Sequence, residues 1–106
     1  IGCLQMEELP TLLEKQKRNA KVWDAELNLF KLNNRHDIEP NYWVYGVLSD
    51  NKVDDMLKFR EQGFYASGVH LPNTHYSVFG DQGQLPGVTE FNNKFIALPC
   101  GWWFEN

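Results

Sequence analysis

Apolar residues recur at helical spacing through the first third of the chain. Leu9, Leu13, Ala20, Trp23, Leu27 and Phe30 fall three, four or seven positions apart, one stripe of a long amphipathic helix over residues 9–30. Glu7 and Glu8 come early, and Lys15, Lys17, Arg18 and Lys21 follow, the order that suits a helix dipole. Pro10 places the helix start near Glu8 or Leu9, because a first turn loses nothing to a missing N–H. A helix begun at Ile1 would be expected to kink at that proline. The polar run Asn33-Asn34-Arg35-His36-Asp37-Ile38-Glu39-Pro40 reads as a loop.

Tyr42-Trp43-Val44-Tyr45-Gly46-Val47-Leu48 carries the strongest strand pattern, aromatic and β-branched in both alternation phases, so both of its faces should be covered. Ser49-Asp50-Asn51 supplies a turn and a helix N-cap. A short helix over 52–62 follows, with Val53, Met56 and Leu57 on one face, and Gly63 ends it. Phe59 lies off that stripe, as a ring whose neighbour is missing would. Residues 64–70 read as a second strand. The stretch 71–88 has no periodicity and is punctuated by Pro72, Gly80, Gly83, Pro86 and Gly87; at about eighteen residues it has the length of a functional loop. A helical turn over 88–95 then precedes a brief strand, Ile96-Ala97-Leu98-Pro99. The order implies an α/β (α+β) sandwich with a small three- or four-stranded sheet, mixed or antiparallel, packed with a long N-terminal helix and one or two shorter ones.

A chain of 106 residues is enough for one domain and not for two. The formal net charge of −4 argues against a nucleic-acid binder, and no apolar run approaches the roughly 20 residues that span a bilayer. Cys3 and Cys100 form neither a disulfide framework nor a metal motif, so a reducing, cytoplasmic setting is the default. Fifteen aromatic residues change the picture, because a domain this small buries only about two-thirds of its unfolded surface. Two readings stay open: an aromatic-rich core, or a piece of something larger. Cys100-Gly101-Trp102-Trp103-Phe104 poses the same choice, between a core strand running past Pro99 and an interface. Exposed Trp23, Phe59 or Trp102 would drive self-association.

Catalytic motifs are missing. No nucleophile-elbow pattern surrounds Ser67 or Ser77, and no phosphate-cradling glycine loop occurs. His70, His75 and Asp81 could ligate a metal, but their spacing does not put the two imidazoles on one helical face. Loop histidines more often make hydrogen bonds, and imidazole and phenol groups on a loop suit a hydroxylated or phosphorylated small molecule.

Ile1-Gly2-Cys3-Leu4-Gln5-Met6-Glu7-Glu8-Leu9, followed by Lys15-Gln16-Lys17-Arg18-Asn19-Ala20 and Trp23, resembles a helix of the DegT/DnrJ/StrS family of PLP-dependent sugar aminotransferases. Residues 41–48, 53–63, Gly68-Val69-His70-Leu71-Pro72, Leu85-Pro86 and Ile96-Ala97-Leu98-Pro99 resemble further family segments in the same order. The resemblance implies the small C-terminal domain of a larger enzyme, with residues 1–32 as an interdomain-type helix and 41–106 as the α/β part around loop 71–88. It implies a homodimer and a large N-terminal domain, outside this chain, that bears the cofactor lysine. The reaction implied moves an amino group from glutamate or glutamine to a keto-sugar, in surface-polysaccharide or deoxysugar synthesis.

By position in the family's loop, His70, Asn73, His75 and Tyr76 are the implied nucleotide-sugar contacts. Leu71 stands where relatives carry tyrosine, and Tyr76 supplies a phenol five residues on. PLP chemistry needs a lysine that gives up its proton readily and an acid on the ring nitrogen. Every lysine here lies among charges on helix faces or turns, so no PLP binding and no transamination by this chain alone are expected. The alternative is a free-standing α/β ligand-binding or interaction module. A small independent enzyme is weaker still, lacking any nucleophile–base pair.

Overall fold

A computed structural model describes residues 1–33 and 35–104. Helix α1 (Gly2–Glu26) turns only part of its length inward, burying Asn19, Ala20 and Trp23. It starts well before the expected Glu8 or Leu9 and carries Pro10 inside it. The residues flanking the proline (Leu4, Gln5, Met6, Glu7, Glu8, Leu9) are good helix formers, and they carry the helix through one lost amide. At its other end α1 stops at Glu26, short of the expected Phe30. Leu27 is already extended (φ −90°, ψ 138°), and Leu27 and Leu29 both lean on the core. The period has changed from helix to strand, and Phe30 opens strand β1 with its ring exposed.

The sheet is antiparallel, in the order β1 (Phe30–Lys31), β2 (Tyr45–Leu48), β3 (Phe95–Leu98). Phe30 pairs with Leu48 across the first ladder, and Val47 pairs with Ile96 across the second. The strand expected from Tyr42 begins three residues later. Tyr42 has a left-handed backbone (φ 56°), and Trp43 is 61% exposed. Tyr45 and Val47 are buried on one face while Gly46 and Leu48 are half-buried on the other, so β2 is covered on both sides. The second expected strand, over 64–70, shrinks to one bridge, in which Ser67 and Ala97 exchange N–H···O bonds of 3.1 and 2.7 Å. Val69, at φ 65°, turns the chain off the sheet edge immediately afterwards.

Helix α2 (Lys52–Glu61) ends at Gly63 (φ 92°) as expected, but its inward face is not the one the pattern suggested. Lys52, Asp55, Met56 and Phe59 turn inward, and Val53 and Leu57 are exposed. Phe59 has its neighbour after all: it meets Trp23 edge-on at 6.1 Å. Two short 3-10 turns, Asn73–His75 and Ser77–Phe79, break up the expected loop. Helix α3 (Pro86–Lys94) then begins two residues earlier than expected, with Pro86 in its first turn. The expected loop over 33–40 includes Asn34, and the expected domain includes Glu105 and Asn106; these three lie outside the described residues.

Ala20, Trp23, Tyr45, Val47, Ala66, Ile96, Leu98 and Cys100 form the core. Beside it, α1 clamps the last segment of the chain. Asn19 donates through Nδ2 to the carbonyls of Gly101 (3.1 Å) and Phe104 (2.6 Å), and the Trp23 indole donates to Pro99 (2.8 Å). The Cys100 thiol donates to the Gln16 carbonyl at 3.3 Å, and burial, helped by the Asp24 charge, pushes its pKa up to about 11. Burial likewise raises the Tyr45 phenol, which donates to Asp24 at 2.5 Å. Residues 100–104 are therefore a clamped turn and not a continuing strand.

Trp23 is buried and Phe59 half-buried, so of the three rings considered for self-association only Trp102 is exposed. Even so, eight of the fifteen aromatic residues stand in solvent, among them Trp43, Phe91 and Trp103. The radius of gyration is 16.1 Å against about 13 Å for a compact domain of this length. The accessible surface is 8046 Å² against about 6,100 Å² for a monomer of this mass. The excess exceeds the roughly 800 Å² that one partner contributes to a standard interface.

Candidate functional site

The loop that follows the Ser67 bridge carries all four expected contact residues. Ala66, fully buried, anchors its start, and Ser67 Oγ accepts the Val69 N–H at 3.3 Å. The left-handed turn at Val69 then projects His70 and Leu71 into solvent. Pro72 leads into the first 3-10 turn, which presents Asn73, and the His75 N–H closes it on the Pro72 carbonyl at 2.9 Å. His70, Asn73, His75 and Tyr76 are all exposed, and among the described residues none of their side chains makes a hydrogen bond. Their polar atoms remain available to a ligand.

These four do not form one group. His70 and Asn73 line a cleft of about 380 Å³ with Trp43, Val69, Phe91 and Phe95. His75 and Tyr76 lie outside it, their rings edge-to-face at 5.6 Å. Pro72 and Thr74 border a second, more polar groove of about 690 Å³ along α3, which ends at Glu90 and Lys94. Asp81, weighed above as a metal ligand, accepts the Gly83 N–H at 2.8 Å. Among the described residues no three His, Cys, Asp or Glu side chains stand close enough to hold a metal ion.

Sequence reasoning missed the cleft's other walls. Trp43 had the look of a strand residue; only the turn at Tyr42, with Asn41 Oδ1 accepting the Trp43 N–H at 3.2 Å, frees its ring. Phe91 comes from α3 and stacks on Phe95 at 4.8 Å and 18°. Lys52 lines a neighbouring cavity with Asp50, Asp54 and Asn93, and its ammonium donates to the Asn92 carbonyl at 2.7 Å. A Cβ on Gly68 would sit 3.1 Å from that Nζ and displace the flexible ammonium by a few tenths of an ångström. No local pattern brings residues 43, 68 and 91 together; the sheet and α3 do.

Lys17 and Lys94 lack the chemistry of a PLP lysine. A cofactor lysine must hold its amine below the ordinary lysine range, and here the resolved shifts run the other way. Hydrogen bonding to Glu39 raises Lys17, and hydrogen bonding to Asp50 raises Lys94. Lys31 donates to the Asp24 carbonyl, and Lys58 lies 3.9 Å from Asp55. Lys15 and Lys21 are exposed on α1.

No protein-family profile matches the sequence, and no curated protein matches it. Solved structures do. The sugar aminotransferase CalS13 from Micromonospora echinospora superposes with a TM-score of 0.84 at 26% identity, covering 100% of this chain and 30% of its own. AtS13 from Actinomadura melliaura gives 0.86 at 29% identity with the same two coverages. Helicobacter pylori PseC, an aminotransferase involved in the biosynthesis of pseudoaminic acid, shares the fold at 18% identity and a TM-score of 0.79, over 95% of this chain and 30% of its own. No helix among the described residues is long and apolar enough to cross a membrane. The chain is thus similar in fold to these sugar aminotransferases, at 26 and 29% identity to the first two, and it spans 30% of their length.

Proposed function

We propose that the chain is the C-terminal domain of a nucleotide-sugar aminotransferase and acts as a lid over chemistry performed by the rest of that protein. In this reading residues 1–106 are one domain, α1 joins it to a large N-terminal domain, and the intact enzyme is a cytoplasmic homodimer. PLP is bound by the large domain, and the amino group of glutamate or glutamine is transferred to a keto-sugar. His70, Asn73, His75 and Tyr76 meet the nucleotide-sugar, offering imidazole, amide and phenol groups to its hydroxyl and phosphate oxygens. By itself the chain neither holds PLP nor transaminates.

The observation that carries the reading is full coverage of this chain by structures of which it spans less than a third. The surplus of accessible surface and the exposed rings support it independently, and they speak against a free-standing module.

The reading frame upstream of Ile1 tests it first: an open frame encoding a lysine-bearing large domain supports it, and a start codon beside Ile1 opposes it. In the longer protein, alanine at His70, Asn73, His75 or Tyr76 should raise KM for the nucleotide-sugar. Unchanged kinetics for all four would refute the site. A stable cofactor–lysine absorption band from PLP mixed with this chain alone would refute its expected inactivity.

A further inference from the structure

Helix α1 carries a seam of which the domain uses one half. Gly2, Gln5, Leu9, Leu12, Gln16, Asn19 and Trp23 alternate at spacings of three and four, the repeat by which one helix packs along another. The lower half of the seam is the clamp. There the Gln16 carbonyl accepts the Cys100 thiol, Asn19 donates to Gly101 and Phe104, and the Trp23 indole donates to Pro99. The upper half, Gly2 to Leu12, lines a groove of about 960 Å³ whose other wall is Trp102. Trp102 belongs to the clamped turn, so the groove continues an interface that the fold has already built. Met6 and Trp102 stand 64% and 46% exposed along it, and Glu8 is the one charged side chain there among the described residues.

We propose that a second copy of this chain fills the groove, α1 against α1 and antiparallel, in a two-fold dimer. A three-four seam takes a helix, and a two-fold contact lets the open half of one seam cover the open half of the other. Space dictates the direction. The lower half of each seam is occupied by its own residues 99–104, so only the first three turns can overlap, with the two domains at opposite ends. Centred on Glu7, the midpoint of residues 2–12, the overlap sets Leu12 of the second copy opposite Gly2. Nothing stands within 4 Å of where a Gly2 side chain would begin, so that leucine has room. Gln5 of the second copy comes beside Glu8, and the one charge in the groove gains an amide donor. The surface to be covered is available: 8046 Å² is exposed against about 6,100 Å² for a monomer of this mass, and a standard interface takes about 800 Å² from each partner. The inference rests on the geometry of this chain and not on the enzyme reading, so either can fail without the other.

The test is sedimentation velocity of this chain over a concentration series in reducing buffer. Met6→Glu and Trp102→Ala alter the groove, and Val53→Glu, on the exposed face of α2, is the control. All three positions are exposed, and the Trp23 indole N–H signal, bonded to Pro99, reports that each variant is folded. The mass should rise from 12.4 kDa toward twice that value with concentration. Each groove variant should weaken the pairing roughly tenfold or more, and the control should leave it unchanged. A spin label on Leu4→Cys, in a chain that also carries Cys3→Ser, sits off the groove and reads the direction, since Cys100 is buried. With a rise of about 1.5 Å per residue and an interaxial separation of about 8–10 Å, antiparallel overlap leaves the two labelled backbones about 15 Å apart. A chain that stays monomeric at every concentration, or a dimer that both groove variants leave intact, overturns the proposal. So does a label separation beyond the roughly 37 Å length of the 25-residue α1.

Discussion

The side-chain amide of Asn19 donates to the Phe104 carbonyl at 2.6 Å, joining the middle of the first helix to a residue 85 positions later. The same nitrogen reaches Gly101 at 3.1 Å, so one buried amide gathers the end of the chain. Asn19→Ala leaves buried carbonyls unpaired and should cost about 1–3 kcal/mol in urea unfolding. Asn19→Asp should cost more, because a carboxylate would face carbonyl oxygens. Equal stability of all three proteins would contradict the clamp.

Trp103 lies over Gly101, where an added Cβ would sit 2.3 Å from the indole ring. The ring is 64% exposed and can swing outward. Gly101→Ala should therefore alter tryptophan emission while costing less stability than Asn19→Ala. A loss of stability as large as that of Asn19→Ala, with emission unchanged, would show that the backbone and not the ring gives way.

Truncations separate the two faces of α2 from the sheet. Ile96→Ala, at a fully buried site opposite Val47, should cost about 2–5 kcal/mol. Val53→Ala and Leu57→Ala, on the exposed side of α2, should stay within about 0.5 kcal/mol. Denaturation midpoints decide it, and a large loss at Leu57 would restore the helix face that the sequence pattern suggested.

Alkaline pH should destabilise the fold. The Cys100 thiol titrates at about 11 in the folded chain, above its unfolded value, and Tyr45 is also raised. For groups raised in this way the unfolded state loses its protons first. Their contribution is complete below the unfolded thiol pKa, falls as pH passes it, and is gone above the folded values. Tm should drop between pH 8 and pH 11. Cys100→Ala should flatten the early part of that fall and Tyr45→Phe the later part. A thiol reagent at pH 8 should find the exposed Cys3 at once and Cys100 only after unfolding.

Local chemistry made much of the fold legible. Gly63 marks a helix end whose left-handed backbone (φ 92°) it accepts easily, and Val47 and Ile96 sit in apolar runs that a buried strand explains. The errors come from residues whose neighbours are distant in sequence. Phe59 is inward because Trp23 waits on another helix, and Leu57, equally apolar, faces nothing. The 64–70 strand failed at Val69, where a β-branched residue takes a left-handed backbone that no propensity scale anticipates. At the site, His70 and Asn73 were readable as loop residues with useful chemistry. Trp43 and Phe91 were not, since in the sequence pattern each has an ordinary local role, as strand or helix residue.

Pro10 gives α1 a mechanical asymmetry. It has no amide to offer the Met6 carbonyl, so the helix is joined across that turn by one strut fewer than elsewhere. Among the described residues the side-chain hydrogen bonds that root the rod in the domain, from Gln16 to Asp24, lie on the far side of this joint. A pull on the first two turns is therefore spent in flexing at Pro10 before it can disturb the sheet.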